Sequence, residues 1–273
     1  MKRQDALDAM RETNIAQRAY YEATNAADDS AANGLATNLW RWARRRAVES
    51  VSENARWQVY ERQKDWAGDL RDAKVLDLGV AMGSPLTEWL SGEAREMHLL
   101  DLSEMQISVL RSWLGDAPNR HYHVGDVLSE DWASGDFNLI YAHSVLHHFQ
   151  HLDPILERLN ALLAPGGRVI TYDPLNTFGP VRLLRRAYRP FQTDSAWEHP
   201  FDGAALKAIE AAFEVEDRLG VFGRGKWAWA MGLVAPPLAR RYGDALFLKD
   251  LSADAARPVD RALHVTYHLR KTA

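Results

Sequence analysis

The stretch Val75–Ser84, V-L-D-L-G-V-A-M-G-S, decides how the chain is read. An apolar run carries an acid, Asp77, then meets Gly79 and Gly83 before Pro85 opens a segment of helical period. Strand, tight turn and helix in that order let backbone approach a polar or charged ligand closely. Ala81 stands where a glycine is usual in such turns. A methyl group there needs only a permissible backbone angle and a little room, so the turn is read as functional. A tight βα turn with no ligand gives the same short pattern, and residues further along have to decide between the two.

Beyond the turn, apolar runs at Met97–Leu100, His121–Val124, Phe137–Tyr141 and Arg168–Tyr172 alternate with helical segments at Pro85–Leu90, Glu104–Leu114 and Pro154–Leu163. Such alternation is the pattern of βαβ units and a parallel sheet, with Pro85 and Pro154 suited to first helical turns. A helix is expected at Gly203–Phe213. Two strands follow, Glu214–Phe222 and Leu263–Arg270, separated by an apolar, Trp-rich insertion, Lys226–Pro258. Upstream, residues 1 to about 70 are rich in Ala, Arg, Glu and Gln with no alternating β-branched run, which predicts helices broken near Asp28–Gly34. The expected domains are a helical cap at 1–73 and an α/β domain at 74–273 with a helical insertion at about 223–260.

The 273 residues are 47% hydrophobic and 26% charged, ordinary for a globular protein. A formal charge of -4 speaks against a protein built mainly to hold nucleic acid. There is no cysteine, which excludes disulfide scaffolds, thiolate metal sites and cysteine nucleophiles. The N-terminal residues mix charges without a signal-peptide core, and no apolar stretch approaches the ~20 residues of a membrane helix. A cytoplasmic location is expected. Ten tryptophans suit a core, an interface, or a pocket for an apolar or ring-shaped substrate.

Acids recur at strand ends. Asp101 closes the second strand about 20 residues after the glycines, where a carboxylate accepts hydrogen bonds from both ribose hydroxyls of an adenosine. Asp126 follows the third. With Asp77 they line the carboxyl edge of the sheet, where open α/β folds bind ligands. V-L-D-L-G-V-A-M-G-S, L-L-D-L-S-E-M-Q, V-G-D-V, D-F-N-L-I-Y-A-H-S-V-L-H-H-F and L-L-A-P-G-G-R-V-I-T-Y-D-P, in that order, resemble the successive motifs of class I S-adenosylmethionine-dependent methyltransferases. The L-H-H-F run, Leu146–Phe149, with the A-P-G-G turn is closest to the small-molecule branch (methyltransferase type 11/12-like). The resemblance covers Lys74 to about Pro174 well, the C-terminal third loosely and the N-terminal helices hardly at all.

That resemblance implies a Rossmann-like, doubly wound α/β fold: a seven-stranded sheet, mostly parallel with an antiparallel last strand, plus N-terminal helices and a helical insertion before the last strand. It implies S-adenosyl-L-methionine as cofactor, S-adenosyl-L-homocysteine as product, and a small-molecule acceptor. Gly79 and Gly83 would lie under the methionine part, Asp101 would bind the ribose, and Asp126 with Val127 would meet the adenine, with Asp77, Ala81 and Leu102 also among the cofactor contacts. His143 would sit near the transferred methyl group. Tyr20 and Tyr21 resemble an aromatic pair that folds over the cofactor, Tyr21 being the expected contact; helix packing would account for them equally well.

The sulfonium carbon is already electrophilic, so the protein has chiefly to align the acceptor and manage one proton. The sequence offers His143, His147, His148, His151 and His199 as bases, with His143, His148 and His199 the catalytic candidates; His147 and His148 also read as a structural pair at a helix start. His147, His151 and Asp153 do not make a coherent ligand set, and no metal site is expected. Arg182, Arg185, Arg186 and Arg189 fall on one side of a short helix, with Leu183, Leu184 and Tyr188 on the other. They read as a solvated basic face, or as recognition of an anionic acceptor. The apolar insertion would serve as a lid or as a homodimer surface. The combined reading is a methyltransferase of specialised metabolism with oxygen favoured as acceptor. The alternatives are N- or C-methylation, an NAD-dependent oxidoreductase, and a noncatalytic cofactor-binding subunit.

Overall fold

A computed structural model describes residues 3–24, 35–129, 135–189, 196–252 and 259–272. The expected helix break at Asp28–Gly34 lies outside them. Seven strands make one sheet: β1 (Lys74–Leu78), β2 (Glu96–Asp101), β3 (Arg120–Val124), β4 (Phe137–His143), β5 (Leu163–Pro174), β6 (Phe213–Val221) and β7 (His264–Lys271). Their order is β3-β2-β1-β4-β5-β7-β6. Neighbours among β1 to β5 run parallel, while β7 runs antiparallel to both β5 and β6. The fold class is the one expected. The order in which strands are added reverses between β1 and β4, the switch point outside which such sheets bind ligands.

Alternation along the strands divides the core. Val75, Met97 and Leu99 face α4 (Thr87–Glu93) and α5 (Glu104–Leu114), packing with Leu90, Ile107 and Leu110. Leu76, Leu100 and Ile140 face the other side, with Ile155 and Leu159 of α6 (Leu152–Leu162) and Ile209 of α8 (Gly203–Ala212). Both faces are buried, so the central strands read as nearly continuous apolar runs. The upstream helices are α1 (Arg3–Thr24), α2 (Leu35–Val48) and α3 (Glu53–Ala67). Ser52 starts α3, its hydroxyl accepting from the Ala55 amide at 3.2 Å. Trp66 and Ala67 of α3 join the core on the α4 side, and Met10 of α1 joins it on the α6 side.

Several boundaries shift from expectation. Pro85 precedes α4 instead of sitting in its first turn, because Ser84 and Thr87 are locked in a turn: the Ser84 amide donates to Thr87 Oγ1 at 2.7 Å. His143 is the last residue of β4, not past it, since the register with β5 runs on to His143–Tyr172. The A-P-G-G segment is looped out inside β5: Phe137 pairs with Leu163, and pairing resumes at Leu139 with Arg168. Pro154 does lie in the first turn of α6.

The insertion between β6 and β7 forms α9 (Gly225–Val234) and α10 (Pro236–Leu251); residues 253–258 lie outside the described set. Ala228 and Phe247 close over Phe222 in an apolar cluster with Val51, Ala55 and Val59. Trp227, Val234 and Leu238 stay exposed. The basic helix is α7 (Gly179–Tyr188), but its other side is not buried as an amphipathic reading implies: Leu183 is 71% and Leu184 53% exposed. The side chain of Tyr188 is outside the described set. No helix of the described residues is long and apolar enough to cross a membrane.

Candidate active site

The β1–α4 turn, the ends of β2 and β3, and the segment after β4 enclose a cavity of about 370 Å³. Gly79, Ala81, Gly83, Asp101, Leu102, Asp126, Val127, His143, His148 and Tyr21 all line it. Asp77 and His199 are not among the lining residues.

Asp77 lies beneath the turn, fully buried. Its Oδ2 accepts from Thr87 Oγ1 at 2.6 Å and Ser84 Oγ at 3.1 Å, which fixes the turn from below. Burial pushes its carboxyl up to about 7 against the pull of those hydroxyls. It shapes the cavity floor without reaching the cavity.

Most of the turn's amides bond within the protein. Gly79 and Val80 donate to the Leu100 carbonyl at 2.8 and 3.1 Å, and Gly83 donates to the Val80 carbonyl at 2.9 Å. The Ala81 amide donates to Asp101 Oδ2 at 2.8 Å. A pyrophosphate needs such amides pointing at it. A cofactor without phosphates does not.

Ala81 adopts φ of +49°, the left-handed region that side chains disfavour. Asp101 holds it there. Ala81→Gly should therefore relieve about 1 kcal/mol and raise the midpoint of urea unfolding, with the cavity unchanged. An unaltered or lower midpoint would show that the turn carries no strain at this position. Gly79 and Gly83 meet a harder limit, since a Cβ would lie 2.6 Å from Val145 Cγ2 or from the Trp113 ring.

Asp101 is buried, and its Oδ1 accepts from the Ser103 amide at 2.9 Å. Burial raises its carboxyl above the ordinary aspartate range, offset in part by the backbone donors Ser103, Ala81 and Leu102. Ala81 and Ser103 donate to different oxygens of the carboxylate, which keeps acceptor capacity for a ribose hydroxyl. Asp126 accepts from the Leu128 amide and from Asn14 Nδ2 of α1, both at 2.9 Å. Asn14, Gln17 and Tyr21 bring α1 across the cavity, while Tyr20 packs edge-on against Trp197 at 5.0 Å. Sequence reasoning found Tyr21 but missed Asn14 and Gln17, whose amides carry no motif.

The three histidines expected as bases separate. His143 lines the cavity, stacks on Tyr172 at 4.9 Å and meets the Tyr60 hydroxyl through Nε2 at 3.4 Å. Burial pulls it down to about 4. His148 lines the cavity with Nδ1 3.2 Å from the Trp197 carbonyl, and burial pulls it to about 4 as well. Both rings are neutral at neutral pH. His199 stays outside the lining because its amide donates to the His147 carbonyl at 2.8 Å, tying its backbone to the L-H-H segment.

His147 faces away from the cavity. Nδ1 lies 2.9 Å from Asp173 Oδ1 and Nε2 3.4 Å from Glu198 Oε2. Burial alone would depress it, but the two carboxylates outweigh burial and hold it up at about 9. His151 and Asp153 join no metal-competent group among the described residues; the two groups present are His147, His148 and Glu198, and Glu96, His98 and His121.

This sheet with its cavity at the β1–β4 switch has the Rossmann-like architecture of class I methyltransferases. The family model described as a methyltransferase domain matches residues 39–217, and the chain belongs to that family. Trans-aconitate 2-methyltransferase of Variovorax paradoxus is 30% identical over 136 residues, 48% of this chain and 49% of that protein. Phosphoethanolamine N-methyltransferase 1 of Triticum aestivum is 27% identical over 103 residues, 37% of this chain and 20% of that protein. The matched segments thus span half or less of these curated relatives. Among solved structures, an S-adenosylmethionine-dependent methyltransferase of Mesorhizobium loti superposes with a TM-score of 0.54 at 16% identity, covering 79% of this chain and 97% of that one. The N-methyltransferase NodS of Bradyrhizobium japonicum, in complex with S-adenosyl-L-homocysteine, superposes at 0.51 with 14% identity, covering 81% and 88%.

Proposed function

We propose that the chain transfers a methyl group from S-adenosyl-L-methionine to an oxygen atom of a small acidic molecule. The observation that carries the cofactor is the charge of the cavity: among the described residues that line it, Asp101 and Asp126 are the acids and there is no Lys or Arg. Burial keeps His143 and His148 uncharged beside them. A cationic sulfonium suits such a lining, whereas a dinucleotide with two phosphates would face carboxylates and a turn most of whose amides are taken. That argues against an NAD-dependent oxidoreductase.

The cofactor supplies an electrophilic methyl group when bound. Asp101 would hold the ribose diol, Leu102, Asp126 and Val127 would bound the adenine end, and Gly79, Ala81 and Gly83 would lie along the methionine part. His143, with Tyr60 behind it, would face the reacting end. The protein's task is alignment, which accounts for a large share of the barrier in displacements of this kind.

Oxygen as acceptor draws support from groups beyond His143. Its ring stacks on Tyr172, which stacks on His264 at 5.2 Å; Phe222 follows at 6.3 Å and Trp229 of α9 packs on Phe222 at 4.8 Å. The buried Trp229 Nε1 has no hydrogen-bond partner among the described residues, nor has Arg56 Nε, one helical turn before Tyr60 on α3. Indole and guanidinium only donate, so a ligand that reached either, beyond the residues lining the cavity, would have to bring oxygen lone pairs. An anionic oxygen also needs no base, which fits neutral, weakly basic histidines.

The test is turnover on a panel of carboxylic acids, phenols and amines, with loss of labelled methyl from the cofactor as readout. Oxygen acids are expected to be methylated, and Arg56→Ala to raise their KM about tenfold or more while S-adenosylhomocysteine affinity stays unchanged. Methylation of amines alone would overturn the oxygen reading. A chain that binds cofactor and turns over none of the panel would favour the noncatalytic subunit.

A further inference from the structure

Along β2 and its edge neighbour β3, four side chains share one face of the sheet. In parallel pairing His98 lies beside His121, and Leu100 beside His123. Glu96 and His98 are two apart on β2, as His121 and His123 are on β3, so period-two alternation projects all four to the same side. Their neighbours Met97, Leu99 and Tyr122 point to the other face, against α5. The connection from β3 to β4, residues 125–136, holds no helix in its described parts.

The contacts are close. His98 Nε2 lies 2.7 Å from Glu96 Oε1, and His98 Nδ1 lies 2.9 Å from His123 Nε2. The ligand atoms of Glu96, His98 and His121 all fall within 4.8 Å of one another. Around a tetrahedral Zn²⁺ with bonds of about 2.0–2.1 Å, neighbouring ligand atoms are roughly 3.4 Å apart. Small side-chain rotations close that gap.

We infer that Glu96, His98 and His121 form a binding site for a divalent transition-metal ion of the zinc type, with His123 orienting His98 from behind. Imidazole and carboxylate without thiolate are ligands for Zn²⁺, Ni²⁺, Co²⁺ or Cu²⁺ and not for thiophilic ions. A ring nitrogen of a metal-bound histidine is commonly held by an outer partner, the place His123 occupies. Without metal, the His98 Nε2 proton bonds to Glu96 and Nδ1 accepts from His123. With metal on Nε2 that proton resides on Nδ1 and is donated to His123 Nε2, whose own proton moves to its Nδ1. Both rings stay neutral and no proton is lost. The opposing charge is Lys74, whose Nζ lies 3.7 Å from Glu96 Oε1 and which packs over the Phe137 ring. β3 is an edge strand whose end leads to Asp126, so the ion would pin the strand that carries this acid to the cavity.

The experiment is titration of untagged, chelator-treated and desalted protein with Co²⁺, read by its visible absorption, and with Zn²⁺, read calorimetrically. One ion per chain is expected, with tetrahedral cobalt bands. Glu96→Gln and His121→Asn should weaken binding by about tenfold or more, and His123→Phe should weaken it about tenfold. Lys74→Met should tighten it by freeing Glu96. Far-ultraviolet circular dichroism and S-adenosylhomocysteine binding verify that each variant is folded. Glu198→Gln tests the rival His147, His148 and Glu198 group and should leave binding intact. Absence of binding, equal binding in Glu96→Gln and His121→Asn, or loss of binding in Glu198→Gln would each overturn the site.

Discussion

Asp101→Ala is expected to weaken S-adenosylhomocysteine binding at least about a hundredfold in isothermal titration. Two charge-assisted hydrogen bonds to a diol are worth about 1.5–3 kcal/mol each, and each 1.4 kcal/mol is about a factor of ten. The carboxylate also holds the Ala81 and Ser103 amides, so part of the loss would come through the turn. Asp101→Asn separates the two contributions: it keeps the volume and an acceptor but loses the charge, and should fall between parent and alanine. Affinity equal to the parent in the alanine variant would remove Asp101 from the cofactor site. Turnover is the wrong first readout because the acceptor is still to be found, whereas product binding tests the cavity alone.

The second large effect concerns stability. His147→Ala leaves Asp173, fully buried, and Glu198, one-fifth exposed, without their shared cation. Breaking one partner out of a buried ion pair costs about 3–5 kcal/mol, and the variant should unfold at markedly lower urea. The pH dependence has a definite sign. Folded His147 titrates at about 9, above the ~6.5 of an unfolded histidine. Its stabilisation is complete below pH 6.5 and is lost as pH rises through 9. His143 and His148, held at about 4, act the other way: their folded pKa lies below the unfolded value, so they cost stability as pH falls below 6.5. Urea midpoints from pH 7.5 to 9.5 should fall in the parent and stay nearly level in His147→Gln. A parent curve that is flat over that range would mean that His147 is not held as a cation.

Sequence motifs located the cavity better than they assigned its parts. The strand ends of β1, β2 and β3 could be read because parallel strands buried on both faces are runs of apolar residues, and acids at their ends stand out. Local spacing then carried Gly79, Gly83, Asp101 and Asp126 to one place, since they follow neighbouring strands of the same sheet. Asn14, Gln17 and Tyr60 reach the cavity or its His143 wall from helices far away in the chain. Amides and phenols on amphipathic helices have no spacing that marks them. His199 went the other way: its loop sits near the site in sequence order, yet one backbone hydrogen bond ties it to the His147 carbonyl, outside the cavity lining.

The chain's own residue order determined the α/β class, the strand candidates and the acids at the ends of the first three, because side-chain period and turn chemistry are local. Tertiary structure alone decided which of the histidines is charged. His147 and His148 are adjacent in sequence and of one type, but one meets Asp173 and Glu198 while the other meets a carbonyl and burial, and their affinities for a proton part in opposite directions. The same holds along β2 and β3, where strand register brings His98 and His121 side by side though more than twenty residues separate them. Protonation and metal affinity depend on distance and desolvation, which only the packed chain fixes.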